Sequence, residues 1–258
     1  MNTPPKVLTI AGFDPTAGAG LLADIKTLEQ WQTYGMSIIT ANTMQTADRF
    51  MANHWVHPEQ IIEQATLLLK SYQFAAIKIG IIQSASLLYK LIGKIRNQQS
   101  EVPIVWDPVL SASAGFTFHK QLHSRELASI LQNITLMTPN VPEAEALFGK
   151  QPIRAAVDKW GCPILLKGGH TKGNLITDRL FQGSEEISFS HPRIASEKHG
   201  TGCVLSSSIA AALAHGKSMP QACQAAQNYI SQFIASSPSK LGYHTTEKPD
   251  TNERQNNN

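Results

Sequence analysis

This chain of 258 residues reads as a single α/β domain built on a central, mostly parallel, doubly wound sheet. Three observations predict it. Short runs rich in β-branched and aliphatic residues alternate with stretches of helical periodicity. The runs are continuously apolar, as strands covered on both faces must be. Several of them end in glycine-rich or polar turns, and ligands in open α/β sheets bind outside those strand ends. The length suffices for one large core, and no repeat or linker divides the chain. The domain is expected to span 1–244, followed by a polar, disordered tail over 245–258 that ends in three asparagines.

The elements follow in order. Val7–Ala11 is a strand, and Leu21, Leu22, Ile25, Leu28 and Trp31 mark the helix after it. Ser37–Ala41 precedes a helix carrying Ile61, Ile62, Ala65, Leu68 and Leu69; Ala75–Ile79 precedes one carrying Leu87, Leu88, Leu91, Ile92 and Ile95. Ile104–Trp106 leads to a helix around Arg125–Leu131, and Ile134–Met137 to one around Pro142–Phe148. An abbreviated helix with Val157 and Trp160 comes before the strand Pro163–Leu166. Two Ala-rich helices, Ser206–His215 and Gln221–Ala235, are separated by Gly216 and Pro220.

Composition narrows the function. Twenty-two Lys+Arg against 19 Asp+Glu leave a formal charge of +3 without basic clusters, so nucleic acid is not an expected partner. No apolar run reaches membrane-spanning length and no leader pattern opens the chain. Cys162, Cys203 and Cys223 lack paired spacing, which speaks against a disulfide framework or zinc and points to the cytoplasm.

The chemistry concentrates in Glu197-Lys-His-Gly-Thr-Gly-Cys203, a glycine-bracketed turn entering a helix at Thr201. Gly200 and Gly202 permit a sharp turn and close backbone approach, and the free N–H groups of the helix start form an anion cradle. The same N–H groups and the helix dipole favour a thiolate at Cys203. The plainer alternative is a helix start with a small buried cysteine. Asn140-Val-Pro-Glu143 has the spacing of a capping box, with Asn140 as the cap and Glu143 in the first turn. Lys167, at a strand end before Gly168-Gly169, is placed to meet phosphate oxygens, and Asp107, at another strand end, to orient magnesium through water.

Taken together, Ala11-Gly-Phe-Asp-Pro-Thr-Ala-Gly-Ala-Gly-Leu-Leu-Ala-Asp24, Tyr34-Gly-Met-Ser-Ile-Ile-Thr-Ala41, Lys78-Ile-Gly80, Asp107-Pro-Val109, Thr138-Pro-Asn-Val-Pro-Glu143, Lys167-Gly-Gly-His170 and His199-Gly-Thr-Gly-Cys203 resemble the hydroxymethylpyrimidine/phosphomethylpyrimidine kinases. These form the thiamine-biosynthetic branch of the ribokinase-like superfamily. The resemblance runs from about Lys6 to Tyr243 and is specific through the order and strand-end placement of its blocks. It implies a three-layer α/β/α fold, ATP and Mg2+, a homodimer, and two successive phosphorylations of 4-amino-5-hydroxymethyl-2-methylpyrimidine. By the resemblance Cys203 is the catalytic base, Gly200, Thr201 and Gly202 the anion hole, and Lys167 the phosphate-contacting cation. Asn140 and Glu143 organise phosphate and metal, with Asp107 assisting. Gln45, Asp24 and Gly12 fall at substrate-binding positions, the Gln45 amide reading the pyrimidine edge. Arg49 and His170 are further candidates, with a solvated role as the alternative.

Three features depart from the family pattern: Ile81-Ile82 follows Lys78-Ile-Gly80 where Met is usual, Thr46–His54 replaces the usual flap segment, and Phe148–Pro163 is short. They leave a pyridoxal kinase of the cysteine-containing type as the rival within the fold. A non-catalytic pyrimidine-binding protein is the rival outside enzymes; the joint presence of Cys203, Lys167, Asn140 and Glu143 argues against it.

Overall fold

The computed structural model describes residues 3–110, 124–169 and 173–244. Among these, the strands are β1 (Lys6–Phe13), β2 (Tyr34–Gln45), β3 (Phe50–Trp55), β4 (Ala76–Ile79), β5 (Ile104–Trp106), β6 (Leu136–Met137), β7 (Ile164–Leu166), β8 (Leu175–Gln182) and β9 (Glu185–Pro192). The helices are α1 (Gly20–Gln30), α2 (Pro58–Ser71), α3 (Ala85–Gln98), α4 (Ser124–Leu131), α5 (Val141–Phe148), α6 (Ile153–Trp160), α7 (Thr201–Ala214) and α8 (Met219–Ala235). All nine strands form one sheet in the order β3-β2-β1-β4-β5-β6-β7-β8-β9. The six from β2 to β7 run parallel, and β3, β8 and β9 are antiparallel additions at the edges.

The expected three layers are present, and the pleat explains them. Successive strand residues point to opposite faces, so Leu8, Ile10, Ile77 and Ile79 join the core under α2–α6, while Val7, Ala76, Val105 and Leu136 join the core under α1, α7 and α8. The Ala210–Ala212 run, fully buried, lets α7 lie close to both α8 and the sheet. On the opposite face Leu88, Leu91 and Ile95 of α3 recur at helical spacing and are all buried. Residue 170 and the tail from 245 onward lie outside the described residues.

Strand order reverses at β1, which has β2 on one side and β4 on the other. The carboxyl ends of β1 and β4 therefore open a crevice, the position at which doubly wound sheets bind ligands. The antiparallel strands are not among the elements expected from sequence. β3 turns back on β2 through residues 46–49, so the segment expected as an altered flap is a hairpin. β8 and β9 form a second hairpin about Gly183.

His244, the last described residue, packs between α1 and α8: its Nδ1 lies 3.2 Å from the Tyr229 hydroxyl and 3.4 Å from Thr27 Oγ1. Burial, aided by the Lys26 ammonium, pushes its pKa down to about 4. An unfolded histidine titrates near ~6.5, so between these values the unfolded chain holds the extra proton. Stability is thus expected to fall as pH drops from about 6.5 towards 4. Thermal melts of the wild type and His244→Asn between pH 7.5 and 4.5 check this: the wild-type Tm should decline more steeply, and parallel curves would remove His244 from the effect.

Candidate active site

Glycines, helix starts and long polar side chains together line this cleft of about 680 Å³ above the strand ends. α1, α5 and α7 all begin on it, at Gly20, Val141 and Thr201, so three positive helix ends converge on one space. The turn before α7 has a strict requirement. Gly200 has φ +77°, and a Cβ there would sit 2.0 Å from the Gly18 carbonyl oxygen, so both conformation and contact demand glycine. At Gly202 a Cβ would stand 3.4 Å from Lys167 Nζ and 3.5 Å from Asp107 Oδ2, in the space that the turn's N–H groups and the lysine share.

Lys167 is held in that space by carboxylates. Its Nζ donates to Asp107 Oδ1 at 2.7 Å and lies 3.8 Å from Glu143 Oε2. Burial works against its charge, but these two carboxylates more than compensate and its pKa is raised. Asp107 also accepts from Thr138 Oγ1 at 3.3 Å and Ser206 Oγ at 3.4 Å. The expected capping box is present: Glu143 N–H donates to Asn140 Oδ1 and Asn140 N–H to Glu143 Oε2, both at 2.8 Å. It serves the site as well as the helix, because Asn140 bridges to Lys167 as an extension of the parallel ladder and fixes where Glu143 points. Burial is the main reason the Glu143 carboxyl lies above its ordinary pKa; Lys167 opposes the rise and Asp107 adds to it.

The other end of the cleft is set by the loop after β1. Asp14 accepts from Thr16 N–H at 2.9 Å and Ala19 N–H at 3.0 Å, and His199 Nε2 donates to it at 2.8 Å. These bonds, with one from Gln45, outweigh the cost of burial and bring Asp14 down to about 2. Gln45, Gly12 and Ile81 border the same end, and the Ile81 carbonyl is fixed by Thr40 Oγ1 at 2.7 Å.

Of the residues picked out in the sequence, Cys203, Gly200, Thr201, Gly202, Lys167, Asn140, Glu143, Asp107, Gln45 and Gly12 all border this one cleft. Asp24 is the correction. It is fully buried, one helical turn inside α1, bonded to Thr9, Ser207 and Lys78, and cannot touch a substrate. The resting thiolate at Cys203 is a second correction. The expected N–H donor exists, from Gly20 rather than the α7 turn, at 3.4 Å. Burial nevertheless dominates and pushes the thiol up to about 11, the Asp24 and Asp107 carboxylates adding to the rise and the Lys78 ammonium opposing it. Arg49 is exposed and does not border the cleft. Asp14, His199 and Lys78 lie within the sequence motifs, but reasoning from sequence assigns them no role. The signal for Asp14 is its place two residues after Gly12 in a glycine loop, where an Asp side chain accepts from backbone N–H groups.

A strand-end cleft on which three helices begin, with a lysine held between two carboxylates and a cysteine beside them, suits a small-molecule kinase of the ribokinase-like fold. The chain belongs to the phosphomethylpyrimidine kinase family, whose profile matches residues 14–248. It is 33% identical to the hydroxymethylpyrimidine/phosphomethylpyrimidine kinase of Aquifex aeolicus, covering 91% of this chain and 96% of that one. The Bacillus subtilis protein described in the same words is 34% identical, with 89% of each chain covered. Among solved structures, phosphomethylpyrimidine kinase from Clostridium difficile superimposes with TM-score 0.72 at 28% identity, over 88% of this chain and 98% of that one. Pyridoxal kinase from Staphylococcus aureus in complex with ADP gives 0.81 at 25% identity over 94% of each. The protein is therefore a phosphotransferase. No helix among the described residues is long and apolar enough to cross a membrane.

Proposed function

We propose that the protein transfers the γ-phosphoryl group of ATP to 4-amino-5-hydroxymethyl-2-methylpyrimidine, and then a second one to the resulting monophosphate, in thiamine biosynthesis. The observation that carries this is the convergence of Cys203, Lys167 and Gln45 on one cleft in a chain of this family. Phosphoryl transfer asks little covalent chemistry of a protein, so positioning and charge neutralisation supply most of the acceleration. In the first step the hydroxymethyl oxygen bonds to the γ-phosphorus as the bond to the β-γ bridging oxygen breaks, ADP leaves, and the hydroxyl proton passes to Cys203 in the fraction of molecules that hold it as thiolate. The N–H groups from Gly200 to Gly202 and the Lys167 ammonium face the moving phosphoryl group. Gln45 offers one acceptor and two donors to the ring edge, as an aminopyrimidine demands.

Magnesium belongs to this chemistry, and the residues fit it. Asp107 and Glu143 flank one lysine, and a further cation beside Glu143 would offset the burial that raises its pKa by favouring the carboxylate. No described cluster of three or more His, Cys, Asp or Glu forms an all-protein cage; magnesium commonly binds through one or two carboxylates, phosphates and water. When bound it neutralises phosphate charge. On this reading residues 1–244 carry the whole reaction as one unit. The three free cysteines suit a reducing cytoplasm. The exposed Ile39, Met44 and Met51 of the edge hairpin suit a homodimer contact.

A second reading, pyridoxal phosphorylation, is favoured by the close superposition on pyridoxal kinase and by Ile81 at the ring end of the cleft. Measured kcat/KM for the two acceptors separates them. The aminopyrimidine is expected to win by at least about tenfold, about 1.4 kcal/mol, which one good polar contact supplies. Gln45→Leu should raise the pyrimidine KM while leaving the ATP KM nearly unchanged. Equal or reversed preference would overturn the pyrimidine reading.

A further inference from the structure

Beneath the cleft lies an ion pair that the reaction as described does not use. Lys78 and Asp24 are both 0% exposed, with Nζ donating to Asp24 Oδ2 at 2.7 Å. Thr9 Oγ1 donates to the same oxygen at 2.6 Å, and Ser207 Oγ to Oδ1 at 2.7 Å. A buried ion pair is poor evidence of stabilisation, since apolar residues of similar volume often serve as well or better. Its placement gives it another use. Cys203 and Ser207 are one turn apart on α7, and Gly20 and Asp24 one turn apart on α1. The two helices meet through two rungs, Gly20 N–H to Cys203 Sγ and Ser207 to Asp24. Lys78 enters from β4 beside these rungs, and it and Cys203 border the same cleft.

We propose that Lys78 is a positioning residue for the cysteine: its ammonium is the counter-charge that makes a thiolate at Cys203 attainable, and Asp24 is present to keep that ammonium charged inside the sheet. This rests on the reading of Cys203 as the proton acceptor. The charges facing Cys203 are Lys78 from β4, Asp24 from α1, Asp107 after β5 and Lys167 after β7. Lys167 is already held by Asp107 at 2.7 Å and stands at the phosphate end of the site. That leaves Lys78 as the cation on the cysteine's side. Despite complete burial, which opposes charge on an amine, Lys78 has its pKa raised by Asp24 and then by Cys203 itself. The electrostatic coupling is mutual: the same ammonium opposes the burial that pushes Cys203 up.

The test reads the thiol directly, in the full-length protein without ligands. Alkylation of Cys203 by iodoacetamide, quantified by peptide mass spectrometry from pH 7 to 10.5, follows its thiolate fraction. Lys78→Met is expected to lower the thiolate fraction about tenfold across this range, which lies below the midpoint. The rate at pH 8.5 should drop at least about threefold, the tenfold loss of thiolate being partly offset by a more nucleophilic sulfur. Circular dichroism establishes folding. Because Lys78→Met leaves Asp24 buried and alone, Lys78→Met/Asp24→Leu, which removes both charges, serves where the single variant does not fold; its drop is expected in the same direction but smaller, since losing the Asp24 carboxylate, which raises the thiol, returns part of it. An unchanged alkylation rate in whichever variant folds would overturn the assignment. Failure of the base reading looks different: Cys203→Ala would retain turnover while the alkylation shift persisted.

Discussion

Replacing Cys203 by alanine is expected to slow the first phosphorylation by about 10²–10⁴-fold, the range for loss of a general base, and to slow the second much less. The acceptors explain the difference. The first nucleophile is a neutral alcohol that must lose a proton. The second is a phosphate monoester whose second pKa, near ~6, leaves it mostly dianionic at pH 7. Because the Cys203 thiol is held at about 11 in the free protein, kcat/KM for the alcohol is also expected to rise with pH from 7 to 9, approaching tenfold per unit, while that for the monophosphate stays nearly level. Single-turnover rates of the variant with each acceptor, and wild-type pH profiles, test both statements. Equal losses for the two transfers would assign Cys203 to shaping the cradle rather than to proton transfer.

Lys167→Ala should lower kcat by roughly 10²-fold or more for both acceptors alike, since both share one γ-phosphoryl site and a group aimed at its charge is realised most fully in the transition state. The variant removes the cation between Asp107 and Glu143. Those carboxylates, freed of their competing ammonium, are then expected to hold magnesium more tightly, visible as a lower magnesium concentration at half-maximal rate. Glu143→Ala should lower kcat by a similar factor while fraying the start of α5, where it closes the capping box. A Lys167→Ala protein with near-normal turnover at saturating magnesium would show the lysine to be structural.

Much of this architecture is legible in the amino-acid sequence. The buried parallel strands β5 and β7 are continuous apolar runs, and β1 and β4 are nearly so, interrupted by Thr9 and Lys78; their two-sided burial is the physical reason they stand out. β8 and β9 escape a sequence reading because their outward positions carry Thr177, Arg179, Glu186 and Ser188, a mixed alternation that resembles a polar loop unless the turn at Gly183 is recognised. At the site, Asn140 and Glu143 can be placed because capping geometry is local. Asp24 cannot: its partners Lys78 and Ser207 are 54 and 183 residues away, and without them a helical Asp beside a glycine loop looks free to meet a substrate. The resting state of Cys203 is hidden for a related reason. Helix position can be read from neighbours in sequence, whereas the desolvation that governs this thiol is a property of the assembled layers.

The contact at Gly200 bears on how such a protein can be altered. The segments 14–20 and 196–203 come from opposite ends of the chain, yet they cross so closely that the Gly18 carbonyl occupies the place of a Gly200 side chain, while a Cβ on Gly18 would in turn fall 2.9 Å from the His199 ring. Neither segment can be exchanged alone for a relative's version of different length or curvature without colliding with the other. Recombinants that take both segments from one parent should therefore retain an intact crossing, whereas those that split these two ends between parents should lose the phosphate cradle even though every individual motif is present.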